Sequence, residues 1–316
     1  MRAAVACAAV YAAAAGAAAA AQAPAQPPGP EARAVAYLSV EVPRWRLVHP
    51  CYSCHNNGDA TRALIAAAGR GHAIGGALDD TLKWLATPDR WDSNQLRGGS
   101  EDLPLARIQF ASALMSMVDA GRATQDALNR AAALLVVHQR ADGSWTLNPS
   151  QPLGGPTFYG TSLATAVARR VLARASAGGV QVPLARAGSW LMAASVETVT
   201  DASAVLLGLE GDADPAAAAQ RRRSLDVLRS GQGPDGGWGP YVTSQSEPFD
   251  TALAILALRS LRDAGVTETI RRARAYLITT QNPDGSWPET TRPPNGESYA
   301  QRISTTAWTL LALLSQ

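Results

Sequence analysis

From Arg272 to Thr280 the small and apolar positions Ala273, Tyr276, Leu277 and Thr280 fall three and four residues apart, which predicts a helix with one buried face. Pro283 forbids its continuation, and Asp284-Gly285 supplies a tight turn. Gln281 and Trp287 bracket that turn. The amide can satisfy backbone groups orphaned at the helix end, and the indole can cover it. The order is basic residue, small residue, large apolar residue, Leu, then Gln, Gly and Trp. It returns at Arg130-Ala131, Leu134-Leu135, Gln139, Gly143 and Trp145, and at Arg223-Ser224, Val227-Leu228, Gln232, Gly236 and Trp238. Degenerate copies keep the helical half: Arg33-Ala34 with Tyr37-Leu38 and Trp45, Arg186-Ala187 with Trp190-Leu191, and Trp84-Leu85 with Trp91. Six copies predict a repeat fold.

Each copy is expected to open a hairpin of an outer and an inner helix. The first outer helix runs from Glu31 to about Val42 and stops at Pro43, and its inner partner spans Asn57 to Ala68. The other pairs are Ala77 to Ala86 with Leu105 to Ala120, Thr124 to Gln139 with Gly160 to Ala175, and Leu184 to Ala194 with Asp201 to Leu209. Ala216 to Ser230 with Pro248 to Ala264, and Thr267 to Thr280 with Gln301 to Leu314, complete the set. Small residues dominate the inner segments, which lets them approach closely round a centre. Each hairpin exposes apolar faces that only neighbours can cover, so closure of the last onto the first is expected. The fold class is therefore all-α, with residues 31–316 as one domain.

The three Gln-x-x-x-Gly-x-Trp turns resemble the QW motifs of squalene-hopene and oxidosqualene cyclases, whose α/α toroid is shared with protein prenyltransferases. The resemblance implies six outer and six inner helices round a cavity that takes an apolar or isoprenoid ligand. In the cyclases the proton donor is the middle aspartate of an Asp-x-Asp-Asp-Thr motif at an inner-helix start. Aligned on Asp250-Thr251, this chain has Phe249 in the donor's place. The carboxylates left as candidate acids are Asp250, Glu247, Asp201 and Asp59, near inner-helix starts, where capping the helix would equally explain an aspartate. Asp79-Asp80-Thr81 lies on an outer helix and is expected to be solvated. The later inner helices have no Cys or His for a prenyltransferase zinc site. Tyr159, Tyr299 and Arg302 form a weaker group that could do acid–base work on a polysaccharide.

Composition narrows this picture. A formal charge of +2 over 316 residues points to no nucleic-acid partner. No uninterrupted run of large apolar residues predicts a membrane span in the processed chain. Residues 1–21 read as a signal peptide cleaved before Gln22, and residues 22–30 as a Pro-rich linker, so a periplasmic or secreted location is expected. Aromatics are 6% of the chain, few for stabilising carbocations.

The sharpest local motif is Cys51-Tyr-Ser-Cys54-His55, the pattern of c-type haem attachment, with two thioethers and His55 on the iron. Loss of the signal peptide removes Cys7, the other cysteine. His72, His138, Met115 and Met192 are the candidates for a sixth ligand. A Cys51–Cys54 disulfide and a zinc site completed by His49 are the alternatives. The leading expectation is thus an exported toroid carrying haem c at its first turn, with a redox or haem-dependent role and a redox partner. The alternative is a diverged terpenoid-cyclase-type enzyme, or an apolar-ligand binder, using the central cavity without haem. A protein-interaction scaffold is the third.

Overall fold

A computed structural model describes residues 28–94, 103–147, 153–261, 263–292 and 298–315. The expected signal peptide and most of the expected linker lie outside the described residues. The outer helices are α1 (Pro30–Val48), α3 (Asp79–Leu85), α5 (Gln125–Val136), α7 (Gln181–Ala193), α9 (Pro215–Gly231) and α11 (Thr267–Thr279). They alternate with inner helices α2 (Ala60–Gly69), α4 (Leu103–Asp119), α6 (Gly160–Arg174), α8 (Val199–Gly208), α10 (Pro248–Ser260) and α12 (Tyr299–Leu314). Each inner helix packs on the next, from α2 through to α12, and α12 packs back on α2. The ring is closed, and the fold is the expected α/α toroid.

The three complete repeats show what closes it. Each glutamine Nε2 donates to the carbonyl of its own turn glycine and to a carbonyl in the first turn of the next outer helix. Gln139 reaches Gly143 (3.0 Å) and Pro183 of α7 (2.8 Å). Gln232 reaches Gly236 and Thr269 of α11, both at 2.9 Å. Gln281 reaches Gly285 and Pro30 of α1, also at 2.9 Å, and so joins the last outer helix to the first. Each tryptophan backbone N–H donates to an inner-helix threonine hydroxyl, on Thr165, Thr251 and Thr306. Each indole N–H finds a carbonyl of its own outer helix, on Leu135, Leu228 and Leu277. The buried indole is thereby fully satisfied. A glycine is required between them, because a Cβ on Gly285 (φ +92°) would lie 2.4 Å from the Arg33 carbonyl oxygen. Gly143 meets Arg186 at the same distance and Gly236 meets Arg272 at 2.7 Å. Those arginines are the basic residues that open the next repeat.

The first hairpin departs from expectation. Helix α1 does not stop at Pro43 but runs through it to Val48. Contacts on both sides of the proline hold it: Trp45 stacks on Tyr299 (5.9 Å between centroids), and Asn56 Nδ2 donates to the Glu41 carbonyl at 3.1 Å. Tertiary packing outweighs the roughly 3 kcal/mol that an internal proline costs. Cys54–Asp59 forms one turn of π-helix that leads into α2, a wider winding often found at functional sites.

Candidate active site

The π-turn delivers Asp59 to the middle of the ring, where it is fully buried. The Tyr159 hydroxyl from the start of α6 donates to Oδ1 at 2.6 Å. Gln109 Nε2 from α4 and the Ser304 hydroxyl from α12 donate to Oδ2 at 2.8 and 2.9 Å. Arg62, one turn along α2, is 3.4 Å from Oδ1. A carboxylate with this many donors from four helices is a preorganised anion site. Behind it, His55 Nδ1 lies 3.0 Å from Ser304 Oγ, and His55 Nε2 lies 3.5 Å from Cys54 Sγ. Burial pulls the His55 ring below its ordinary value, with Asp59 opposing, so the neutral imidazole is favoured.

Tyr159 is held in place at a conformational cost. It has φ +55°, ψ −33°, and it is the one non-glycine residue with positive φ among the described residues. For a bulky side chain this costs about 1–3 kcal/mol and persists where the surroundings fix it. They do so here: Tyr159 N–H donates to Gly155 O at 2.9 Å, and its ring meets Trp308 edge-on at 5.9 Å. Burial and the charge of Asp59 raise the phenol far above its ordinary range, so it remains a donor.

Asp250 and Glu247 are brought together at the start of α10, but around Arg292. The guanidinium donates to both Asp250 oxygens at 2.7 and 2.8 Å, to Glu247 at 2.7 Å and to the Gly154 carbonyl at 3.0 Å. Thr200 adds a hydroxyl to Asp250 at 3.0 Å. Burial pushes Asp250 from 3.8 to about 6; Arg292 counters this and Glu247 reinforces it. Phe249 packs edge-on against Trp308 at 6.0 Å. Asp201 stands apart in the first turn of α8, whose N-cap Thr198 accepts from the Asp201 backbone N–H at 2.9 Å, and it takes the Ser162 hydroxyl at 2.6 Å. The weaker trio does not assemble. Tyr159 is in the core, Tyr299 donates to Glu41 at 2.8 Å, and Arg302 pairs with Glu289 at 2.8 Å.

The surroundings of Cys51, Cys54 and His55 do not fit a porphyrin. Cys51 is 1% exposed, and burial holds its thiol above the usual range. Cys54 and His55 line a pocket of about 200 Å³ with Trp45, Tyr52, Trp91 and Phe110, below the roughly 300–1,000 Å³ of small-molecule sites. His138 engages Arg107, and Met115 lines the separate central cavity described next. No disulfide joins Cys51 to Cys54. Among the described residues, no group of three His, Cys, Asp or Glu side chains could hold a metal ion.

That cavity, about 440 Å³, takes residues from all six inner helices. Val167, Leu207, Leu256, Leu311, Met115 and Trp308 supply apolar wall, and Arg62, Arg170 and Arg259 supply cationic heads. The Arg62 guanidinium lies over the Trp308 ring at 4.6 Å while reaching toward Asp59. Arg62 therefore connects the cavity to the buried carboxylate. Arg170 is 3.6 Å from Glu210; Arg259 has no ion-pair partner among the described residues. Trp308 Nε1 is buried with no hydrogen-bond partner among them. Among the described residues no helix is long and apolar enough to cross a membrane.

This fold is that of the type II terpene cyclases. The ent-copalyl diphosphate synthase of Streptomyces platensis superimposes with a TM-score of 0.55 at 17% identity, over 82% of this chain and 50% of that one. A type II terpene cyclase from Scytonema, in complex with geranylgeranyl dihydroxybenzoate, gives 0.52 at 15% identity, over 90% and 98%. In sequence, 72 residues are 39% identical to the drimenyl diphosphate synthase of Streptantibioticus cattleyicolor, and 65 are 40% identical to that of Streptomyces showdoensis. These segments are 23% and 21% of this chain but only 13% and 12% of the relatives. No family model matches the chain. These likenesses overturn the expectation of a haem c protein with a redox role and favour the cyclase-type alternative.

Several residues of the site escaped sequence reasoning. Gln109 was marked by being a lone amide in the apolar run Ile108 to Leu114. Arg62 and Arg292 carried no such mark.

Proposed function

We propose that this protein is a type II terpene cyclase-like enzyme that folds an isoprenoid chain in the central cavity and starts cyclisation by protonating an alkene from Asp59. The observation that carries the reading is the Asp59 cluster joined to an inner-helix cavity through Arg62 and Trp308. Protonating an alkene leaves a carboxylate on the acid and a carbocation on the chain. The donors from Tyr159, Gln109 and Ser304 stabilise the first. The faces of Trp308 and Tyr159 supply quadrupoles for the second. Asp59 thus fills the role left empty at Phe249. Arg259, unpaired among the described residues, and the half-compensated Arg170 suit an anionic head such as a diphosphate.

The test is incubation with isoprenyl diphosphates and the corresponding alcohols of C15, C20 and C30 chain length, with products analysed by gas chromatography and mass spectrometry. Cyclised product is expected, with diphosphates preferred. Asp59→Asn should lower turnover by at least about 100-fold, as for other essential acids. Wild-type turnover by Asp59→Asn overturns the assignment. Saturable binding without any product points to the binding-protein form of the reading.

A further inference from the structure

We propose that Cys54, His55 and Ser304 form a proton wire that reprotonates Asp59 from the pocket at the first turn. This rests on the cyclase reading given above. Cyclisation begins with a proton leaving Asp59 into the central cavity, and it ends with a proton lost from the product cation to solvent. The net proton count is zero, but Asp59 is left ionised and fully buried. A second turnover requires a proton to reach it.

The hydrogen bonds provide one direction of travel. Ser304 Oγ–H donates to Asp59 Oδ2 at 2.9 Å, so the serine oxygen is left to accept. His55 Nδ1 is 3.0 Å from that oxygen and fills the acceptor site if it carries the ring proton. Nε2 is then the bare nitrogen, 3.5 Å from Cys54 Sγ, where a thiol can donate. Each group donates to the next, from Cys54 to Asp59. When Asp59 is ionised, the serine proton moves to Oδ2, the Nδ1 proton moves to Ser304, and the thiol proton moves to Nε2. Water in the pocket of about 200 Å³, which both Cys54 and His55 line, then reprotonates the thiolate. Every bond made is matched by one broken, and the polarity of the chain is reset by a half-turn of the hydroxyl and proton exchange at the ring. The other donors do not offer this route. Tyr159 is fully buried, and Gln109 cannot relay.

The wire predicts that the first turnover is spared and later ones are not. Rapid-quench measurements on His55→Gln should show one product per enzyme at the wild-type rate, followed by a steady state slower by about 10-fold or more, whereas Ser304→Ala, which also removes a donor to Asp59, should slow the burst as well as the steady state. Ser304→Thr, which keeps the hydroxyl, should restore the steady state. Equal loss of burst and steady state in His55→Gln would make the ring a support for the site and overturn the wire, as would wild-type steady-state turnover in that variant. Nitrogen-15 NMR of the protein without substrate decides independently. An Nδ1–H tautomer that changes in Ser304→Ala supports the wire, and an Nε2–H tautomer overturns it. Wild-type protein inactive on every isoprenoid counts against the cyclase reading alone, because the tautomer measurement still decides the wire.

Discussion

Replacing Gly285 by alanine attacks the clasp that closes the ring, and its cost can be worked out from three contacts. The new Cβ would stand 2.4 Å from the Arg33 carbonyl oxygen and 2.6 Å from its carbon, so α1 has to move or the turn has to unwind. Holding alanine at φ +92° costs about 1 kcal/mol. Moving α1 weakens the Gln281 bonds to Pro30 and Gly285, about 1 kcal/mol each. The expected loss is about 3 kcal/mol, or about 1 M in urea midpoint at a slope near 3 kcal/mol per molar. Gly71 is the control. It has φ +86° but no atom within 4 Å of the place a methyl group would take, so Gly71→Ala should lose only the backbone share, about 1 kcal/mol. Chemical denaturation followed by circular dichroism reads both. Equal midpoint shifts in the two variants would mean that the clasp contributes nothing to closure, and that the repeat's turn is not what holds the ring.

Arg292→Met should destabilise the protein by about 3–5 kcal/mol, because it leaves two carboxylates buried without their cation; a urea midpoint equal to wild type contradicts this. Asp250 sets a pH dependence. Its proton is held more tightly in the folded state, from 3.8 to about 6, so its stabilising contribution is complete below about 3.8 and is lost as pH rises through about 6. Urea melts from about pH 4 to 7 should show that decline in wild type and its loss in Asp250→Asn.

Much of the ring was legible because its closure uses local grammar. The same turn that ends a helix also presents Gln281 to the next one, so three complete copies and three degenerate ones were enough to predict six hairpins. The site was less legible for a reason of distance. Asp59, Asp201 and Asp250 look alike as aspartates near inner-helix starts. What separates them is their partners: Gln109, Tyr159 and Ser304 come to Asp59 from 50, 100 and 245 residues away. Arg292, by contrast, neutralises Asp250 from a loop 42 residues on. Pro43 misled for a related reason, since a local helix-breaking rule was set against packing by Trp45 and Asn56.

The Cys-x-x-Cys-His pattern misled for a different reason, because the same residues serve another local geometry. Ser53 caps the π-turn, accepting from the backbone N–H groups of His55 and Asn56. Asn57 Oδ1 accepts from Ser53 N–H at 2.8 Å, and its Nδ2 donates to Thr81 at 2.8 Å. These bonds fix the turn so that His55 and Asp59, at opposite ends of one wide winding, both reach Ser304. An iron ligand would have to present a ring nitrogen to an open porphyrin face, yet here Nδ1 is turned to Ser304 and Nε2 to Cys54. Freeing Nε2 would cost the Cys54 contact, and swinging the ring out would leave the Ser304 oxygen without the imidazole. Haem ligation and service to Asp59 are therefore competing uses of one side chain, and the hydrogen bonds around the turn commit His55 to the second.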